Sequence, residues 1–168
     1  ITQSAALTVT GTSSFTTTAA ANNITLSTTT NAFTGAVSFT TNGAADVAID
    51  NGTTALNLGT VTVGQNLSAT SGEAITDSGI ITVGGTAAFT TDVSDKAITL
   101  DSQNAITGAV TFATMGTGGD VSLDNGTTAI SLGSVAGLAG DLTLLTDAAQ
   151  TLSSAINLTG TGASLSIT

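Results

Sequence analysis

Residues 50–61 read DNGTTALNLGTV, and residues 124–135 read DNGTTAISLGSV, a displacement of 74 positions. The displacement recurs along the chain. LTVTGTSSFTT at 7–17 answers ITVGGTAAFTT at 81–91, and ITQSAALTV at 1–9 answers ITDSGIITV at 75–83. With slips of one residue, NAFTGAVSF at 31–39 answers NAITGAVTF at 104–112, and NLSAT at 66–70 answers DLTLL at 141–145. A fixed period of this kind marks a stack of like units, because no single unit can bury its apolar face alone. The chain therefore reads as one continuous array over 1–168. Its units span about 1–74 and 75–149, with part of a third at 150–168, and the whole reads as a fragment of a longer array.

A shorter rhythm runs inside each unit. Triplets place a Thr, Ser or Asn between two apolar residues: Ile24-Thr25-Leu26, Leu56-Asn57-Leu58, Ile98-Thr99-Leu100, Val121-Ser122-Leu123, Leu142-Thr143-Leu144. Period-two alternation turns both apolar residues to one face and the polar one to the other. Gly, Asn, Asp, Ser and Thr separate the triplets, and these residues accept turns. Strands this short are stable only when many stack, which predicts an all-β, parallel β-helix, or β-solenoid. One strand about every eight residues and three per turn predicts coils of about 25 residues, three to a unit; four coils of about 18 residues fit the pattern as well. The rival is an antiparallel sandwich or barrel, with DNG at 50–52 and 124–126 as type I′ hairpin turns.

Composition narrows the function. The net charge is −10, from eleven acids against a single basic residue, Lys96. A chain with one cation cannot displace counterions from nucleic-acid phosphates or hold to an anionic membrane. No apolar run is long enough for a transmembrane helix, so membrane insertion is not expected. Pro, Cys, His, Trp and Tyr are all missing. Without His or Cys, no nucleophile–base pair can be assembled, so no catalytic or cofactor-binding residue is assigned, no cofactor is expected, and the chain does not read as an enzyme.

Residues 59–112, with GQNL, AITDSG, ITVGGTAAF and ITGAVTF, resemble the repeats of large bacterial filamentous-haemagglutinin-like surface proteins. The resemblance implies a right-handed parallel β-helix, secretion to the cell surface of a Gram-negative bacterium, and a role as shaft or adhesive fibre. Expected partners are then neighbouring repeats of the same chain, further copies meeting head-to-tail or side by side, and other cell surfaces.

Asp46, Asp50, Asp120 and Asp124 occupy equivalent places in the two units. Carboxylates suit a hard cation such as calcium; they equally cap turns by bonding their own backbone, beside a Gly that supplies φ > 0. Metal ligands are not assigned. Asp92, Asp95 and Asp101 surround Lys96 and read as a solvated turn with a local ion pair. A carbohydrate-binding surface is the other alternative, but an aromatic platform for sugars needs Trp or Tyr. Outward T-x-T pairs could build an ice-binding ladder, and Thr8-Val9-Thr10 and Thr60-Val61-Thr62 have the form. Their equivalents, Thr82-Val83-Gly84 and Ser134-Val135-Ala136, break it. Asn31, Asn51, Asn66, Asn104 and Asn125 read as turn residues or stacked amide ladders. Phe15, Phe39, Phe89 and Phe112 read as core.

Overall fold

The computed structural model describes residues 1–168 apart from Ser134 and Ser153, and only the backbone of Ala136. Every strand pairing among the described residues is parallel, and the strands are short. Three strands make a turn, so the chain winds through three faces and stacks about seven coils into a β-solenoid. The first face carries Ser13–Thr16, Val37–Thr40, residues 61–63, Ile81–Val83 and Ala105–Ile106. The second carries Ile24–Leu26, Val47–Asp50, Leu67–Ser71, Ala87–Ser94, Ala109–Met115 and Ser131–Leu132. The third starts with Thr8–Val9 and Ala32–Phe33. It continues through residues 56–58, Ile75–Asp77, Ile98–Leu100, Val121–Asp124, Leu142–Leu145 and Leu165–Ile167.

The parallel register removes the hairpin reading of DNG. A type I′ turn needs φ > 0 at both central residues. Gly52 and Gly126 have it (φ 55° and 53°), but Asn51 and Asn125 do not. The segment is a corner between two faces. A Cβ on Gly52 would also approach the Thr29 carbonyl oxygen to 2.7 Å, so close stacking and backbone conformation both demand glycine there.

The apolar residues of these triplets point inward and form columns running from coil to coil. Ile75, Ile98, Val121 and Leu142 stand in register, each no more than 2% exposed. Leu165 continues that column as its last member and is 44% exposed, so burial comes from the coil above and below and not from the strand itself. Aromatic pairs repeat with the unit. Phe15 stacks on Phe39 at 5.7 Å between centroids, and Phe89 on Phe112 at 6.0 Å, both with planes 20° apart. Phe33, fully buried, meets Phe15 edge-on.

Coils are shorter than the roughly 25 residues expected from the strand rhythm. Their length varies from 19, where Leu56 faces Ile75, to 24, where Ser13 faces Val37. Three coils up from Ile24, through Val47 and Leu67, the register reaches Ala87. The sequence equivalent of Ile24 is Ile98, which lies one strand further on. The repeating unit is therefore ten strand segments, or three and one third coils, and not three. The unit is not a whole number of coils because corner lengths vary, so the coil period is not tied to the period of the sequence.

Two substitutions test this packing. Phe89→Ala removes a fully buried ring and is expected to cost about 3–5 kcal/mol, read as a lower urea midpoint with unchanged slope. Gly108→Ala puts a methyl onto the carbonyl oxygen of Gly85 in the coil below; loss of stability by more than about 1 kcal/mol is expected, and a neutral result would refute the close stacking of these two corners.

Candidate functional surface

The corners hold the buried polar chemistry of the molecule. At several corners coil-to-coil backbone bonds carry on, as from the Gly72 amide to the Gly52 carbonyl, but Ala32–Phe33 and Ala105–Ile106 each have a strand on one side only. Asparagine side chains fill the gap. Asn51, fully buried, accepts from the Phe33 amide through Oδ1 at 2.8 Å, and its Nδ2 donates to the Phe33, Thr54 and Ala55 carbonyls at 3.0, 3.0 and 2.9 Å. One amide thus stands in for a missing strand beside Ala32–Phe33. Asn125 does the same for Ile106, Thr128 and Ala129.

Asn31 accepts from the Leu7 amide, donates to the carbonyls of Leu26 and Asp50, and exchanges a pair of bonds with the Gln3 side chain. Asn104 accepts from the Ile81 amide and donates to the Leu100 carbonyl and the Asp77 carboxylate. These four are turn residues, as expected, but their partners are mainly backbone groups. They do not form a ladder of asparagine on asparagine. Asn66 differs: it is partly exposed and links Asp46 to Thr86 across three coils.

The aspartates cap backbone. Asp50 Oδ1 accepts from the Gly52 amide and Asp124 Oδ1 from the Gly126 amide, each at 2.8 Å. Asp46 accepts from the Asn66 amide at 3.1 Å and Asp120 from the Asp141 amide at 2.9 Å, both in the following coil. Asp120 and Asp141 line an open recess of about 200 Å³ with Thr117, Gly140, Thr161 and Gly162. Asp141 Oδ1 in turn accepts from the Ser164 amide at 2.7 Å, so one oxygen of each recess carboxylate is already engaged. Among the described residues no three His, Cys, Asp or Glu side chains gather where they could hold one ion.

Lys96 does not pair with Asp92, Asp95 or Asp101. Its Nζ lies 2.7 Å from Glu73 Oε2, in the neighbouring coil. Coil spacing, not sequence proximity, chose the partner. Asp95 instead sits at φ 62° and accepts from the Gly118 amide, and Asp101 accepts from Ser122 Oγ.

The outer surface carries rows of short polar side chains, most of them hydroxyls. On the third face the central residues of successive triplets align as Asn57, Thr76, Thr99, Ser122, Thr143 and Ser166. On the first face Thr16, Thr40, Thr62 and Thr82 align, all exposed. Sequence reading missed these rows because it compared positions one unit apart, whereas neighbours on the surface are one coil apart. Of the T-x-T candidates, Thr62 joins such a row, while Ser134 lies outside the described residues.

Comparison with known proteins identifies the class: over residues 1–40 and 44–113 the chain matches the family described as repeats of unknown function (DUF5649). The chain belongs to that family of repeats. No curated protein and no solved structure matches it.

The corner chemistry is open to mutation. Asn51→Ala strands four backbone groups in the interior, at about 1–3 kcal/mol for each group left unmade, and is expected to exceed about 2 kcal/mol in total. Asn22→Ala on the exposed surface should stay within about 0.5 kcal/mol. Equal effects in chemical denaturation would show that the buried amide is dispensable. Asp50→Asn keeps an acceptor for Gly52 and should be nearly neutral, whereas Asp50→Ala loses the cap at about 1 kcal/mol. Millimolar calcium is expected to leave the melting temperatures of the native chain and of Asp50→Asn unchanged. A rise in the native chain alone would restore the metal reading.

Proposed function

We propose that this chain is a structural segment of an extracellular or cell-surface fibre, a stiff rod whose job is reach and not chemistry. The observation that carries the reading is the stacking of inward apolar columns and parallel strands from coil to coil, repeated by the unit. Solenoids of this kind gain stability from contacts between nearest neighbours, so length can be added by adding units. Seven coils at about 4.8 Å each correspond to a rod segment of roughly 30 Å.

The outer surface favours the same reading. Short hydroxyls cover the faces, and the acids, spread over corners with one cation among them, keep a net charge of −10. Such a charge promotes solubility and discourages non-specific association. The resemblance of residues 59–112 to filamentous-haemagglutinin-like repeats points to bacterial export and to adhesion as the setting. The end coils expose strand edges, which suit a neighbouring unit of the same chain or a second copy stacked head-to-tail.

Antibodies raised against this chain should label intact cells of the source organism. Labelling that appears only after permeabilisation would overturn the surface reading. For self-assembly, the purified chain at high concentration should form fibres in electron micrographs. A monodisperse monomer under those conditions would remove end-to-end stacking and leave the rod itself standing.

A further inference from the structure

The sequence places asparagine before glycine three times, at Asn42-Gly43, Asn51-Gly52 and Asn125-Gly126. In a flexible chain this dipeptide is chemically labile. Glycine has no Cβ to shield its amide nitrogen, which attacks the asparagine Cγ, forms a C–N bond and expels Nδ2 as ammonia. The amide proton leaves with the ammonia. Water then opens the resulting cyclic imide at either carbonyl, giving aspartate or isoaspartate. Water is consumed and ammonia released in equal amount.

The fold treats the three sites differently. Asn51 and Asn125 are fully buried, and the side chain of each makes four hydrogen bonds to backbone groups. Their nucleophiles are engaged too. The Gly52 amide donates to Asp50 Oδ1 and the Gly126 amide to Asp124 Oδ1, each at 2.8 Å. Attack would need the side chain to abandon its four bonds, and the amide its own, inside the molecule. Asn42 and Gly43 are both exposed. The Asn42 side chain makes one bond, from Nδ2 to the Thr18 carbonyl oxygen at 2.7 Å. Among the described residues the Gly43 amide donates to nothing.

We propose that Asn42 is a site of spontaneous deamidation in the folded protein, and that the corners at Asn51 and Asn125 lock the same chemistry out. The second unit lacks the labile site, since the equivalent pair, displaced by 73, is Met115-Gly116. Both glycines have positive φ (66° and 77°), so the turn is kept and the reactive side chain is not. The two products act differently on the rod. Aspartate at 42 removes the donor to Thr18 and adds a charge at an exposed corner. Isoaspartate routes the main chain through the side-chain carbon and lengthens it by one atom. It does so where the Gly43 carbonyl accepts from the Ala45 amide at 2.9 Å, and where a Cβ on Gly64 in the next coil would fall onto that same oxygen. So close a stack does not accommodate a longer chain, and isoaspartate is the product that loosens the coils.

Ageing the native chain at mildly alkaline pH, then digesting it with pepsin in acid for mass spectrometry, tests the assignment. Peptides holding Asn42 should gain the mass of NH2 replaced by OH, and a protein isoaspartyl methyltransferase should label them. Asn51 and Asn125 react only through openings populated at about one part in a thousand or fewer, so their conversion should be slower by about a thousandfold or more. In urea all three should convert at similar rates, because the fold and not the local sequence separates them. Asn42→Gln should remove native conversion over the same time and leave the melting temperature of the fresh chain unchanged. The aged native chain should melt lower, while Asn42→Asp, which carries the milder product, stays close to the fresh chain. Native conversion of Asn51 or Asn125 at the rate of Asn42 would overturn the proposal. So would an Asn42 as inert as they are while urea releases all three. An aged chain rich in isoaspartate that melts like the fresh one would overturn the effect on stacking.

Discussion

Backbone groups at the corners of a coil are the constraint on which this structure depends. Along a face, each amide and carbonyl is met by the coil above or below. At a corner the chain changes direction, and where a segment has a strand on one side only, as at Phe33 and Ile106, groups already inside the apolar interior have no water to turn to; leaving one unmade costs about as much as a core methyl or two. Asn51 and Asn125 resolve this with a side chain that carries an acceptor and two donors and reproduces the bonding of the strand that is not there. Ser71 and Thr146 repeat the solution one coil on, donating to the carbonyls of Thr54 and Thr128. Asp50, Asn51 and Gly52 then follow as a set: the aspartate fixes the turn, the asparagine fills the gap, and the glycine takes the conformation and the close approach.

With the corners settled, the faces need little. A strand of three residues with two apolar side chains inward completes a layer, and the coil on either side provides its burial. This explains how a chain with five phenylalanines and no other aromatic residue sustains a continuous core. It also explains the composition of the exterior. Thr and Ser, the commonest outward residues of the triplets, favour extended backbone because branching or a short polar side chain suits a pleated, half-exposed surface.

Much of this was legible in the sequence, because the triplet pattern states which side chains go inward, and Thr25, Thr99 and Ser122 between apolar neighbours leave little choice. The all-β stacked fold and the capping role of Asp50 could be read directly. The number of coils could not. Corner lengths vary and coil lengths vary with them, so no constant coil period survives to be seen beside the repeat of the unit. The same blindness hid the partner of Lys96, since Glu73 is distant in sequence but only one coil away in space, and it hid the hydroxyl rows on the faces. The family match adds the repeat class without a function, which leaves the surface as the place where function has to be sought.

A mismatch between unit and coil would be costly if the three faces differed, yet equivalent residues meet equivalent neighbours on any of them. Phe15 and Phe39 stack on the first face as Phe89 and Phe112 do on the second, with the same angle between planes. Asn51 and Asn125 make the same set of bonds at different corners. Each position is specified by the coil above and the coil below, and nothing in that specification refers to which side of the rod it occupies. A unit of ten strands is therefore as stable as one of nine or twelve would be. What it changes is only the outside, where identical segments are carried around the axis and no side of the rod is privileged.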